Sequence, residues 1–511
     1  MAELHVGAAF ALRTLAQAAA VAKSGDTVIV HAGVYAAGFK PPAGTTWVAA
    51  DAGAVVIDGG WKGGNLSPAD SGGVGVLVSR AGVIMRGFEV RNVAGQGVAV
   101  SAGGDGFVLE DCEIHHTFHG AFVVNGMADT VDGVTVRSCH FHDMSLSGRW
   151  RETPVNGCVM LKSATNALVE DCLIERGYGE GLTAGSRSRG VVFRRVTVRD
   201  TRHLLVYAAN RARDVLVEDV VVYQTGAAEW RQGDGDVGAG FVIGDEESGS
   251  KDDRWPFSEN VTLRRCVAVN AGIALHVRNG TKTGSGGGMD GYNTRIQNLL
   301  IERCTFVGGP DARAGVVVVE NDQGAAVAGV VRDCVMAFDV LAGEQLRNAA
   351  RGIVLAGNVW TAGVPAGLPA SNWAGRATAL VAPFATIDGD LGLNLNNYRP
   401  RAGGPLDGAG VGALEPLPVE PPVDPPPPEP SPTPAGPDWD ALRVLAVTAA
   451  QQLVSARANV TEAQKHTDGA AVLLNLSMLR LADARQAQTD AMTQVAALLA
   501  ALNEAAKPAA K

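Results

Sequence analysis

The sequence of 511 residues predicts an all-β chain wound as a right-handed parallel β-helix, and a recurring motif is the main reason. In each copy, apolar residues stand on both sides of two charged residues and a cysteine, as in VEDCLI at residues 169–174. Alternation with period two is typical of strands, and here it holds on both sides of a two-residue interruption. A third short apolar segment follows each copy. Three short strands per turn, repeated about ten times, predict a coil whose turns rise by about 4.8 Å.

The motif cysteine defines an anchor position, which is predicted to stack inside the coil as a small apolar ladder. The anchors are Cys112, Cys139, Cys172, Val196, Val220, Cys266, Cys304 and Cys334. Related segments around Phe88 and Asn358 extend the series at its two ends. The interval between anchors varies from 24 residues (172 to 196) to 46 (220 to 266). Strands cannot lengthen without breaking the stack, so we expect the extra residues to leave as loops at the corners.

The β-helix is expected to occupy residues 1–414. Residues 9–23 have the pattern of an amphipathic helix, which would cover the open edge of the first turn. Net charge of −10 and a pI near 5.5 argue against nucleic-acid binding. No apolar run is long enough for a membrane span. The N-terminus lacks the pattern of a secretion signal, and seven cysteines without a CxxC pair favour buried thiols.

Residues 415–437 contain 12 of the 24 prolines and predict an extended linker, at most roughly 70 Å long at about 3.1 Å per residue. Residues 438–511 are rich in Ala, with apolar residues at alternating steps of four and three from Leu442. This pattern predicts a helical segment that forms a coiled coil, and we expect a homo-oligomer, with a trimer favoured. A turn at 467–469 would instead give an αα-hairpin.

Four long corner segments are the expected places for recognition: residues 143–156, 225–239, 245–260 and 279–298. Aromatic side chains can stack on sugar rings, and neighbouring arginines can pair with acidic groups. The candidate glycan-binding residues are Trp150, Arg151, Trp230, Arg231, Trp255 and Tyr292. The alternative interpretation is that the tryptophans anchor the loops on the coil.

Residues 225–260 carry nine acidic and three basic side chains, a net charge of −6. Asp234, Asp236 and Asp245 are candidate ligands for Ca²⁺, and no other cofactor is expected. A solvated acidic loop is the simpler interpretation. If two carboxylates flank a groove, they could instead serve as acid and base in glycoside cleavage.

Five histidines lie close together in sequence: His115, His116, His119, His140 and His142. His115 and His142 both stand three residues after an anchor, so they should stack on one outer face. Glu175 and Arg199 come next in that column. A hydrogen-bonded ladder or a metal site would explain the pattern.

Two terminal segments resemble the pectate-lyase-like β-helix superfamily. SGDTVIVHAGVYAAGF resembles its GDTV…PGTY opening, and NYRPRAGGPLDGAGVGALEP resembles its closing segment. GCVMLKSATNALVEDC also looks like the lysine-bearing turn of some β-helix polysaccharide lyases. That resemblance implies Lys162 as the base that removes the proton α to a uronate carboxylate, with Arg176, Arg187 or Arg189 neutralising the carboxylate.

The remaining lyase signature is incomplete, and the Asn-Thr-Asp, Asp-Asp and Gly-His-Gly motifs of the related polygalacturonases are missing. A structural lysine at the corner is therefore the alternative for Lys162. Counting ten residues back from each anchor places Lys162, Ser186 and Asn210 at one corner on successive turns.

In plan, the chain resembles bacteriophage tailspikes, with a β-helix, a spacer and a helical oligomerisation element. The resemblance implies a structural virion protein, such as a spike, fibre or decoration protein, made in the host cytoplasm. Its partners would be cell-surface polysaccharide and other virion proteins. A polysaccharide lyase or glycoside hydrolase is the second hypothesis, and a scaffold rod without a ligand is the third.

Overall fold

The structure is a computed structural model, and its three large sheets consist of parallel strands. It describes residues 1–51, 53–126, 130–149, 157–232, 235–245, 258–279, 296–309, 311, 314–319, 327–337, 353–360, 373–374 and 412–413. In each sheet, a strand pairs with the strand one turn before it and the strand one turn after it. The predicted three-sided coil is therefore confirmed for this part of the chain.

The sheets are named A, B and C in the order in which a typical turn visits them. Sheet A contains Glu3–Val6, Thr27–Val30, Thr46–Ala49, Ile84–Arg86, Val108–Glu110, Thr135–Arg137, Leu168–Glu170, Val192–Arg194, Arg213–Glu218, Ser258–Arg264, Ile296–Glu302, Val327–Arg332 and Ile353–Ala356. Sheet B contains Gly33–Ala36, Val55–Asp58, Glu89–Val93, Glu113–Thr117, His140–Met144, Leu173–Gly177, Thr197–Thr201, Val221–Tyr223, Val267–Val269, Thr305–Val307, Val335–Ala337, Val359–Trp360 and Trp373–Ala374. Sheet C contains Gly73–Val78, Gly95–Ser101, Phe122–Asn125, Val159–Lys162, Leu182–Gly185, Leu204–Ala208, Ala239–Asp245, Ile273–Asn279 and Ala314–Val319.

The bend between sheets A and B comes from one residue in the left-handed conformation, directly before each anchor. Asp111, Asp171 and Asp219 have φ of 53°, 54° and 55° there. Aspartate tolerates this region because its short polar side chain can bond locally. Since one residue turns the chain, sheets A and B meet without an intervening loop.

The anchor side chains line the core as predicted. Cys139 and Cys172 lie on adjoining turns, because the amide of Leu173 donates to the carbonyl of Cys139 at 3.0 Å. The amide of Cys304 donates to Sγ of Cys334 at 3.4 Å. All seven cysteines are buried and unpaired by disulfides.

The structure contains an α-helix at Leu15–Val21, which is shorter than the predicted segment at residues 9–23. Its N-cap is Thr14, whose side chain accepts a hydrogen bond from the amide of Gln17 in a capping box. Leu15 and Ala18 are buried in the main core. No described helix is long and apolar enough to cross a membrane. The predicted linker and C-terminal helical segment lie outside the described residues.

Candidate functional site

The four long corner segments all border sheet C. Residues 143–156 and 225–239 connect sheet B to sheet C, before strands Val159–Lys162 and Ala239–Asp245. Residues 245–260 and 279–298 connect sheet C back to sheet A. Because the bend between sheets A and B is too short for loops, the outer face of sheet C is the surface that they flank. This face is the candidate functional site.

Lys162 lies at the end of its strand on the outer face of sheet C. The side chain of Leu161 is buried in the core, and alternation therefore turns Lys162 outward. Lys162 is half-buried and stands opposite Asn125 and Gly185 on the neighbouring turns. An ammonium group beside an exposed amide can bind an acidic or hydroxylated ligand.

The predicted alignment of Lys162 with Ser186 and Asn210 is wrong by one residue. Ser163 shares that corner instead, and its hydroxyl donates to the carbonyl of Ser186 at 2.8 Å. Ser163, Ser186 and Asn210 have left-handed φ values of 51°, 49° and 53°. The corner column is therefore a turn of residues in the left-handed conformation, and Lys162 lies one residue before it.

The structure separates the candidate arginines. Arg176 lies at the end of a sheet B strand, where its guanidinium binds Asp143 at 3.1 Å and Glu175 at 2.5 Å. That places it on a different sheet from Lys162. Arg187 is exposed at the corner that follows the strand opposite Lys162. Arg189, two residues further on, donates to Asp214 at 2.8 Å. Of Arg176 and Arg187, only Arg187 lies at the same end of sheet C as the lysine.

Trp230 packs inward. The residue is only 7% exposed, and the centroid of its ring lies 5.2 Å from that of Tyr178. Arg231 pairs with Asp311 and donates to the carbonyl of Gly235 at 2.9 Å. These contacts agree with the loop-anchor interpretation for Trp230. Trp150, Arg151, Trp255 and Tyr292 lie outside the described residues.

Two short 3-10 helices, Leu146–Arg149 and Ala228–Trp230, lie in segments that lead into sheet C, and Arg149 lies 3.9 Å from Glu229. The guanidinium of Arg202 joins their segments by donating to the carbonyls of Gly148 at 3.2 Å and Arg231 at 2.8 Å. Tyr178 donates its hydroxyl proton to Glu229, and burial together with this carboxylate raises the pKa of Tyr178. This edge of the candidate site is therefore held by a polar network.

The proposed calcium ligands are not brought together in the described part of the chain. Asp245 is buried at the end of its strand, Asp236 lies at the loop before that strand, and Asp234 is outside the described residues. Two groups of three potential metal ligands are close enough to share an ion there, and neither includes Asp236 or Asp245. Calcium binding by these aspartates stays a prediction.

The histidines form the predicted column on the outer face of sheet B. The rings of His115 and His142 stack at 4.6 Å with an interplanar angle of 5°. Glu175 and Arg199 continue the column on the next two turns. Burial lowers the pKa of His115, although its hydrogen bond to a carboxylate opposes this shift. The predicted stacking is confirmed.

The outer face of sheet A carries a column of side chains of alternating charge, which the sequence analysis did not predict. The column runs through Arg86, Glu110, Arg137, Glu170, Arg194, Glu218, Arg264, Glu302 and Arg332. Arg137, for example, binds Glu170 at 2.6 Å and Glu110 at 3.3 Å. The signal was present in the sequence, since each member from Glu110 onward stands two residues before an anchor. The charged members of this column therefore pair with one another along the sheet.

The outer face of sheet B is apolar toward its C-terminal turns, and the chain returns to it. The buried members of this patch are Tyr223, Val267, Val269, Val307, Val335, Ala337 and Val359. Ala413 packs against them, and its amide donates to the hydroxyl of Thr305 at 3.0 Å. The amide of Gly412 donates to the carbonyl of Asp333 at 2.8 Å. Part of sheet B is therefore covered by residues 412–413.

Comparisons with known proteins agree with this geometry. Residues 73–235 match the family described as right handed beta helix region. None of the curated proteins matches the sequence. Among solved structures, a pectate lyase is 14% identical, with 82% of this chain and 97% of that chain covered and a TM-score of 0.46. A surface adhesin of Streptococcus pneumoniae, PfbA, is 10% identical, with 68% and 84% covered and a TM-score of 0.44. The Dettilon tailspike protein is 12% identical, with 71% and 61% covered and a TM-score of 0.37. The family match, together with the three stacked parallel sheets, shows that the chain contains a right-handed parallel β-helix.

Proposed function

We propose that this chain is a structural protein of a bacteriophage or phage-like particle that binds cell-surface polysaccharide on the outer face of sheet C. One observation carries the proposal: all four long corner segments emerge at the two edges of this sheet. Long loops positioned by a regular scaffold are the usual place for recognition. An extended polymer can lie across successive turns, so one strand after another would contact successive sugars.

The other two faces are less suited to such a ligand. On sheet A, the charged side chains pair with one another along the column, as Arg137 does with Glu110 and Glu170. On sheet B, residues 412–413 lie against the apolar turns. Lys162 and Asn125 offer an ammonium group and an exposed amide on sheet C. We therefore expect the polysaccharide to contact this pair.

The proposal is tested with purified full-length protein and immobilised capsular and cell-wall polysaccharides. Lys162→Ala should weaken binding tenfold or more, since a charge-assisted hydrogen bond is worth about 1.5–3 kcal/mol and about 1.4 kcal/mol is a factor of ten. Arg86→Ala is the matched control, because it removes one positive charge from the outer face of sheet A. Equal losses in both variants, or no binding to any polysaccharide, would contradict the proposal.

The position of Lys162 also supports a second candidate function, that of a lyase that acts on uronate-containing polysaccharides. The lysine lies on the candidate face, with Arg187 at the same end of the sheet. Incubation with alginate and pectate, followed by the ultraviolet absorbance of unsaturated uronates, tests this activity. We expect Lys162→Ala to abolish any signal while Arg176→Ala retains it; no signal in the unsubstituted protein excludes this candidate.

The particle role rests on the arrangement of the whole chain, with the β-helix followed by a Pro-rich and an Ala-rich segment. We propose that residues 438–511 join three copies. Sedimentation equilibrium should show a trimer for the full-length protein and a smaller oligomer or a monomer for a chain that ends at residue 414. The same number of copies in both proteins would refute this role of the segment.

A further inference from the structure

A carboxylate and two imidazoles converge on the outer face of sheet B. Glu113 stands opposite His140 in the parallel register, and His142 follows on the same face two residues later. Oε1 of Glu113 lies 2.9 Å from Nε2 of His142 and 3.8 Å from Nδ1 of His140. The two imidazole rings are 4.4 Å apart. Three potential metal-ligand atoms therefore face one small volume.

The second nitrogen of each imidazole is bound to another carboxylate. Nε2 of His140 lies 3.1 Å from Glu175, and Nδ1 of His142 lies 2.7 Å from Asp143. In the absence of an ion, Nε2 of His142 donates to Glu113 at 2.9 Å. A bound ion would replace that proton, and the remaining ring hydrogen of each histidine would point to Asp143 or Glu175. Histidine ligands of metals are usually oriented by such carboxylates.

We propose that Glu113, His140 and His142 bind a divalent transition-metal ion of the Zn²⁺ type. Ligand bonds of about 2.0–2.1 Å in a tetrahedral site place ligand atoms about 3.3 Å apart, between the two observed distances. A groove of about 460 Å³ adjoins the cluster and is lined by Glu113 and His140, with Asp111 and Ser138 among its other residues. Water or an oxygen of a molecule bound in this groove would supply the fourth ligand.

A second possible metal site also includes His142, together with two neighbouring histidines. Nδ1 of His115 lies 2.6 Å from Nδ1 of His116, and both are close enough to share an ion with His142. His142 would have to give up its contact with Asp143 or Glu113 to ligate there. In the group with Glu113, the ion would replace only the proton between His142 and Glu113, and both rings would keep their contacts with Asp143 and Glu175. The carboxylate of Glu113 would also offset the charge of the ion, which the three histidines of the other group cannot do. We therefore assign the ion to Glu113, His140 and His142.

The test uses untagged full-length protein stripped with a chelator and titrated with Co²⁺, which reports coordination through its visible absorption. One Co²⁺ per chain, displaced by Zn²⁺, is expected. His140→Ala and Glu113→Gln should each weaken Co²⁺ binding at least tenfold. His116→Ala is the matched control and should change the affinity by less than twofold. Loss of binding in His116→Ala with retention in His140→Ala would overturn the assignment, and so would no saturable binding below millimolar Co²⁺.

Far-UV circular dichroism must show that each variant keeps the β-helix. Glu113 tolerates replacement by Gln best, since 46% of its side chain is exposed. A positioning residue gives an independent test: Glu175→Gln should weaken binding roughly tenfold while the Co²⁺ spectrum keeps its shape. Unchanged affinity in a folded Glu175→Gln protein would contradict the role given to the second carboxylates. Polysaccharide binding at sheet C is independent of these results, since the two surfaces belong to different sheets.

Discussion

Glu218→Gln should destabilise the β-helix by about 2 kcal/mol, because Glu218 is the most heavily paired carboxylate of the sheet A column. Its side chain is 9% exposed and lies 3.2 Å from Arg194, 2.6 Å from Arg264 and 2.8 Å from Arg265. Glutamine keeps the shape and removes the negative charge among three guanidinium groups. Breaking a fully buried pair costs about 3–5 kcal/mol and an exposed pair about 0.2–1 kcal/mol. The arginines are partly exposed, so the expected loss lies between these limits.

Glu302→Gln is the matched control in the same column. Glu302 binds Arg332 at 2.6 Å, and the side chain of Arg332 is 50% exposed. The expected loss is about 0.5 kcal/mol, as for other exposed pairs. Urea unfolding followed by far-UV circular dichroism measures both losses, with equal m values as the condition for comparing midpoints. Equal destabilisation by the two substitutions would refute the argument from burial and number of partners.

Three further predictions concern the core and the acid stability. All seven cysteines are buried, and burial raises the pKa of Cys158 to about 12. A thiol-reactive disulfide should therefore modify none of the cysteines until the protein unfolds, and rapid modification of the native protein would contradict this prediction. A Cβ at Gly177 would lie 2.4 Å from Sγ of Cys158, so Gly177→Ala should cost about 1–3 kcal/mol and Cys158→Ala should recover part of it. Strictly additive losses in urea unfolding would argue against this contact. Burial alone would raise the pKa of Asp58, but hydrogen bonds from Arg91, Gly60 and Asn92 lower it below 3.8. The ionised Asp58 therefore stabilises the folded protein at pH values above its unfolded pKa, and this stabilisation is lost as the pH falls through its folded pKa. In the Asp58→Asn protein, the free energy of unfolding should fall less steeply with pH below about pH 4. An unchanged pH dependence of the free energy of unfolding would contradict this prediction.

The core and the outer columns of sheets A and B could be predicted from the sequence, because a constant two residues, the left-handed one and the anchor, separate their strands along the motif turns. A position counted from an anchor keeps its register through the strand on either side of the bend. That is why the stacking of His115 on His142 was predicted correctly. The same count, two residues before the anchor, would have given the column of Arg137 and Glu170. The convergence of Glu113 with His140 needs atomic distances, since alternation gives the face but not the side-chain conformation.

Counting from the anchors does not predict the register of sheet C, because the number of residues at the corner between sheets C and A varies from turn to turn. Lys162 stands ten residues before its anchor, Cys172, whereas Gly185, the residue opposite Lys162, stands eleven before Val196. The added residue is absorbed by two consecutive left-handed residues, Ser186 and Arg187. Shifting a strand by one residue turns each side chain to the opposite face, so counting back from the anchors cannot define the surface of sheet C. The face that the long loops border is therefore the face whose side chains must be taken from the structure, and Lys162→Ala is the substitution that tests it most directly.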